Sequence, residues 1–271
     1  LPEGVKVEDY QPVVVESHGK KIPYWDRDPA HPEITNWLMQ NPHRINLGRI
    51  AFRLMRDDGK EATELDLKSA RQEVDLWTGI VYSRFELNGQ EVKVRTVCHP
   101  EQDVIGVTVE SELLRRGNIG VYLDFPYADK RQFPHFMGRY DTVTGHTSVS
   151  EQLTPRAVRI DRKMDSTSYC VRLDWTGDAV FTRESPEAHR FFLQPGKEEN
   201  TFSFTCAFST RRENRQPASV GEIERLSAES WERYWRSGAA VDFSGSKDPR
   251  WIELERRVVL SQYLMRVNEC G

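Results

Sequence analysis

The run Ile80-Val-Tyr-Ser-Arg-Phe-Glu-Leu87, then Asn88-Gly89, then Gln90-Glu-Val-Lys-Val-Arg-Thr-Val-Cys98 constrains this chain more than any other stretch. Two alternating segments flank an Asn-Gly pair. A type I′ turn needs positive φ at both central residues, and Asn and Gly tolerate it better than other residues. With a two-residue turn, Phe85 faces Val92, Ser83 faces Val94 and Val81 faces Thr96, all on one side of the sheet. Arg84, Glu86, Lys93 and Arg95 fall on the other, wetter side. One buried and one solvated face is the mark of an antiparallel sheet.

The same alternation recurs over 45–55, 103–110, 118–125, 168–175, 179–183, 189–193 and 200–209. The last carries Phe202, Phe204, Cys206 and Phe208. Gly48 interrupts the first as a bulge or a point of close approach. With roughly ten to twelve strands and no helical period before residue 218, the expected fold is mainly β, a large antiparallel β-sandwich. Residues 1–44 hold Pro2, Pro12, Pro23, Pro29, Pro32 and Pro42 and read as an irregular wrap with one strand near 12–16. Tyr10, Tyr24, Trp25 and Trp37 in that wrap either cover the edge of a core or line a pocket. The connection from Phe125 to about residue 157 exceeds the roughly 12–15 residues expected of a plain loop. Its aromatic content, including Phe133-Pro-His-Phe-Met-Gly-Arg-Tyr140, argues against disorder, and a hairpin is expected around 142–149.

After Pro217 the period changes to helical. Val220, Ile223, Leu226, Trp231, Tyr234 and Trp235 mark a helix over 219–237, with Trp231 and Trp235 read as core. Ser227 is expected to interrupt it or cap its second half, and Gly238 to stop it. Asp248 followed by Pro249 suits a helix start. The second helix, from 249 to about 270, is apolar over more than half of its circumference and calls for neighbours on several sides.

Composition narrows the function. The 271 residues hold 38 Lys and Arg against 42 Asp and Glu, a net charge of −4 that disfavours a nucleic-acid partner. Arg211-Arg212 with Arg215 reads as a solvated loop. No apolar run is long enough to span a bilayer. Cys98, Cys170 and Cys206 lie in strand-like alternation and are expected as small buried hydrophobes, with a disulfide between two of them left open. Phosphate-loop, dinucleotide, nucleophile-elbow and His-Glu-x-x-His patterns are absent, and the seven His have no metal-ligand spacing. Neither a cofactor nor a metal is therefore expected, and no carboxylate pair is singled out by spacing. The start Leu1-Pro2-Glu3-Gly4 reads as processed or trimmed, without a signal peptide.

Several stretches resemble a known family. Trp231-Glu-Arg-Tyr-Trp235, Asp248-Pro249 and Glu253-Leu-Glu-Arg-Arg-Val-Val-Leu-Ser-Gln-Tyr263 are similar to the linker helix and first barrel helix of six-hairpin glycosidases. Asn41-Pro-His-Arg-Ile-Asn-Leu-Gly48, Gln72-Glu-Val-Asp-Leu-Trp-Thr-Gly79 and Arg95-Thr-Val-Cys-His-Pro-Glu-Gln-Asp103 fit the same group. The resemblance implies a galactose-mutarotase-like supersandwich over 1–216, a helical linker over 217–248 and the first helix of an α/α toroid over 249–271. It implies a non-catalytic N-terminal domain of an inverting glycoside hydrolase, with carbohydrate and its own toroid as partners and a secreted or periplasmic location. The catalytic carboxylates would belong to the toroid, so none is carried over here and the fragment alone is expected to be inactive. By the same analogy Trp37, Asn41, His43, Arg44, Asn46, Phe133, His135, Arg139 and Tyr140 would border a sugar site, or else pack the sandwich on the toroid. A free-standing carbohydrate-binding sandwich and a structural domain without ligand are the alternatives.

Overall fold

A computed structural model of the chain describes residues 4, 6–25, 28–39, 45–128, 137–212 and 215–269. It divides into two compact units, Leu1–Arg49 with Asp124–Gly145, and Ile50–Leu123 with His146–Gly271.

The smaller unit contains a hairpin, β1 (Val13–Ser17) and β2 (Lys20–Tyr24), and one short helix, α1 (Pro32–Met39). The wrap expected over 1–44 is therefore partly regular. The prolines explain the departure: Pro32 occupies the first turn of α1, where its missing N–H costs nothing, and Pro23 sits in a two-stranded sheet that is all edge.

The larger unit is the sandwich. It is built from β3 (Arg49–Leu54), β4 (Lys68–Asp75), β5 (Ile80–Leu87), β6 (Gln90–Cys98), β7 (Val104–Glu110), α2 (Glu112–Arg116) and β8 (Ile119–Asp124). There follow β9 (His146–Thr154), β10 (Ala157–Met164), β11 (Thr167–Trp175), β12 (Ala179–Arg183), β13 (Arg190–Pro195) and β14 (Thr201–Ser209). Eight strands form an antiparallel sheet in the order β4-β5-β6-β7-β14-β11-β10-β9, and a four-stranded sheet runs β12-β13-β8-β3. The hairpin register is the one its turn dictates: Phe85 pairs with Val92, Ser83 with Val94 and Val81 with Thr96. Asn88 and Gly89 both have positive φ, at 51° and 70°. The core lies where alternate residues of both sheets are buried, among them Val158, Ile160, Val171, Leu173, Leu193 and Phe204. Each such side chain contributes about 1.5–3 kcal/mol on leaving water.

Two helices close the chain, α3 (Val220–Tyr234) and α4 (Trp251–Glu269). Ser219 caps α3, its hydroxyl accepting from the Glu222 amide at 3.3 Å. Val220 and Ile223 cover Ile80, Val97 and Val104 on the outer face of the large sheet. Trp231 and Trp235 are buried, and the Trp235 indole donates to the Leu76 carbonyl at 2.6 Å. Ser227 does not interrupt or cap α3 but stands buried within it, its hydroxyl donating to the Thr78 carbonyl at 2.8 Å. A π turn over Trp235–Ala239, with Gly238 at φ 109°, ends the helix.

Other differences have local causes. The 142–149 region is not a hairpin in itself. Its second half opens β9, which pairs with β10. That strand escapes sequence reading because an arginine, Arg162, occupies one of its inward positions. Arg95, expected on a wet face, lies under α3 and is held between Glu110 at 2.9 Å and Glu224 at 3.1 Å. Cys206 is buried, but Cys170 is only partly covered and Cys98 is exposed. All three are free thiols. Cys98 is the last residue of β6 and shares the face of Val92 and Val94, but it stands at the strand's end, beyond the covered part of that face.

Candidate functional site

In the smaller unit, Asn46 and Tyr140 are brought together. The Asn46 amide donates to the Tyr140 hydroxyl at 3.1 Å and to the Met137 carbonyl at 3.1 Å, while its oxygen accepts from the Gly48 amide at 3.0 Å. Three of its four hydrogen-bonding positions are thus used to pin residues 137–140 against residues 46–48. Gly48 permits the approach: with φ at 144°, a Cβ there would come to 2.9 Å from the Phe125 ring.

Two residues not singled out in the sequence complete the group. Arg49 donates to Asp124 at 2.7 Å, and its guanidinium lies 4.1 Å from the centre of the Tyr140 ring. Asp124 is 3% exposed, so its charge depends on a partner. The one signal for it was a carboxylate set inside the apolar run Ile119–Asp124 and Phe125. The group offers an exposed guanidinium edge, a phenol and an aromatic face, which suit hydroxyl-rich ligands.

Of the other expected site residues, Arg139 is held by its backbone, which exchanges two hydrogen bonds of 2.9 Å with Tyr127, and its side chain reaches Asp141 at 3.4 Å. Trp37 stands on α1, half exposed. Asn41, His43, Arg44, Phe133 and His135 lie outside the described residues.

A second polar network organises the same unit. Asp28 is buried, and its carboxylate accepts from the Gln11 amide, the Ala30 amide and His31 Nδ1, each at 2.9 Å. The His31 bond and then the Gln11 amide pull the Asp28 carboxyl down to about 2. The same carboxylate raises the His31 imidazole above its ordinary value. Nearby, the Tyr10 and Trp25 rings stack at 6.2 Å and 27°, with Trp25 mostly exposed. Among the described residues no group of three His, Cys, Asp or Glu could hold a metal ion, and no helix is long and apolar enough to cross a membrane.

No family model and no curated protein matches the chain. Solved structures similar to it include a protein from the human microbiome assigned as a kojibiose phosphorylase, 10% identical over 68% of this chain and 27% of that one, with a TM-score of 0.43. A bacterial glucoamylase complexed with acarbose is 8% identical over 73% of this chain and 33% of that one, at 0.46. A family GH92 inverting mannosidase from Bacteroides thetaiotaomicron is 10% identical over 69% of this chain and 26% of that one, at 0.38. The chain thus spans no more than 33% of the length of these structures.

Proposed function

We propose that the chain is the N-terminal β-sandwich and helical linker of a carbohydrate-active enzyme of the glycoside hydrolase kind, non-catalytic in itself. In this reading α4 is the first helix of a toroid domain, and residues around Asn46, Arg49 and Tyr140 border its sugar site. The observation that carries the reading is α4. None of its 19 residues is buried. Ile252, Leu254, Leu260, Leu264, Met265 and Val267 are between 41% and 62% exposed. The side toward α3 is fastened by other groups: Tyr263 stacks on Trp231, Arg266 lies over Trp231 and Tyr234, and the Tyr234 hydroxyl donates to the Gln262 carbonyl at 3.0 Å. A helix apolar on its remaining sides is built to be surrounded. The carbohydrate class comes from the resemblance of the linker and helix sequences.

Sedimentation of the 271-residue chain tests this. Reversible self-association is expected, abolished by Leu260→Glu with Leu264→Glu, together with no turnover on aryl glycosides. A monodisperse monomer at high concentration, or glycoside hydrolysis by this chain, would overturn the proposal. A free-standing carbohydrate-binding sandwich is the second reading, favoured by the exposed Tyr24 and Trp25 of the hairpin unit. In that case glycan binding would disappear with Trp25→Ala.

A further inference from the structure

The outer face of the eight-stranded sheet carries an ionic layer that stability does not call for. Ala207, Arg172, Arg159 and Glu151 stand side by side in register on β14, β11, β10 and β9. Three strand spacings of about 4.8 Å make this a row roughly 14 Å long. Arg159 and Arg172 are 6% and 9% exposed. Arg172 grips Asp174 through two hydrogen bonds of 2.7 and 2.8 Å. Arg159 joins Glu151 at 2.5 Å and Asp161 at 3.1 Å. Buried ion pairs stabilise no better than apolar residues of the same volume, and often less well. A covered sheet face built for stability alone would carry Val or Leu where Arg159 and Arg172 stand.

Arg159, Arg172 and Ala207 of this row floor a cleft of about 740 Å³ between the 99–104 turn, residues 208–211 and 215–218, and α3. That volume falls within the range of small-ligand sites. Its walls carry Asp103, Arg215, Glu222 and Arg233. All four are exposed, two of each sign, and none forms an ion pair among the described residues. The Arg211-Arg212-Arg215 cluster is thus divided in role: Arg212 is spent on Asp161 at 2.9 Å, while Arg211 and Arg215 line the cleft.

We propose that this cleft, built wholly from the larger unit, binds a neutral oligosaccharide. The inference rests on the carbohydrate reading above and adds a site that the toroid does not complete. A sugar hydroxyl both donates and accepts, so walls of donor-only guanidinium groups and acceptor-only carboxylates satisfy it in either role. A polyanion would be repelled by Asp103 and Glu222, and a polycation by Arg215 and Arg233. The floor is also chemically quiet. The Cys170 thiol donates to Asp161 at 3.2 Å, and burial pushes it up to about 11, so it stays protonated and is no nucleophile. The cleft holds its ligand without reacting with it.

The intact chain would be titrated with maltotetraose, cellotetraose, xylotetraose and trigalacturonate, followed by amide chemical shifts and calorimetry. At least one neutral tetrasaccharide should shift the amides of 170–172 and 207–209. Arg233→Ala and Glu222→Ala should each weaken it about tenfold or more, with Arg236→Ala, whose partner is Glu232, as the unaffected control. These substitutions lie on the solvent side of α3 and leave its buried contacts intact. Absence of neutral binding, shifts confined to residues outside the cleft, or a salt-sensitive preference for trigalacturonate would each overturn the proposal. Its failure is separable from that of the domain reading, because self-association through α4 is measured without sugar.

Discussion

Gly79 shows how much a single residue can hold. Its φ of 70° is one that side chains seldom adopt, and a Cβ there would overlap the Trp231 indole and come to 2.9 Å from Ser227 Oγ. Both neighbours are buried and fixed, so neither can yield. Gly79→Ala is expected to cost about 2–4 kcal/mol by urea unfolding; a change within experimental error would mean that α3 is not seated on this turn. Asp28 and His31 make a different, pH-dependent statement. The lowered Asp28 carboxyl adds stability that is present above its ordinary value of 3.8 and lost as pH falls toward 2. The raised His31 imidazole adds stability that is complete below 6.5 and lost as pH rises through its folded value. The His31 ring should therefore titrate above 6.5 by proton NMR, and Asp28→Asn should bring it back; an unchanged midpoint in that variant would refute the coupling. At this scale the sequence was legible where a residue type announces its task, as at Gly48. It was illegible where partners meet across adjacent strands, because nothing local to Arg49 points to Asp124, 75 positions away.

Elements were legible in proportion to how fully their own pattern specifies them. The Asn88-Gly89 hairpin needs only local information, and its register follows from the turn. Asn88 also donates to the Met55 carbonyl at 3.0 Å, so it ties the hairpin to β3. Asn88→Ala should cost about 1–2 kcal/mol in thermal unfolding, from the strained φ and the lost bond together. Asn88→Gly should cost less, since it keeps the turn and loses only the bond. A larger loss with Gly than with Ala would contradict that division. β10 is the opposite case. Val158, Ile160 and Met164 point inward with Arg162, which is 1% exposed. Arg162 donates to the Thr147 carbonyl at 2.9 Å, to Ser148 at 2.5 Å and to Nδ1 of His146 at 2.7 Å. A charged residue among core positions is invisible to an apolar-periodicity reading, because its acceptors come from another strand. Arg162→Ala is expected to cost about 3 kcal/mol or more, since it leaves buried acceptors unpaired and opens a cavity.

At the scale of the molecule, burial is distributed unevenly. In β11 the residues Val171 and Leu173 are fully buried and Arg172 and Asp174 are covered as well. In α4 no residue is buried. Amide protons exchange through openings whose free energy follows local burial, so these two elements mark the ends of the stability range. At low protein concentration, α4 amides should exchange at least about a hundredfold faster than those of β11, a gap of about 2.7 kcal/mol. Raising the concentration should slow exchange in α4 alone, because self-association covers Leu260, Leu264 and their neighbours. The double variant Leu260→Glu with Leu264→Glu should remove that concentration dependence and leave β11 unchanged. Equal protection of α4 and β11 in dilute solution would mean that the helix is already supported by its own sandwich, and the domain reading would fall with it. The helix itself was legible from its apolar pattern. Its surroundings were not, because a period says how many sides of a helix seek cover and nothing about which surface supplies it.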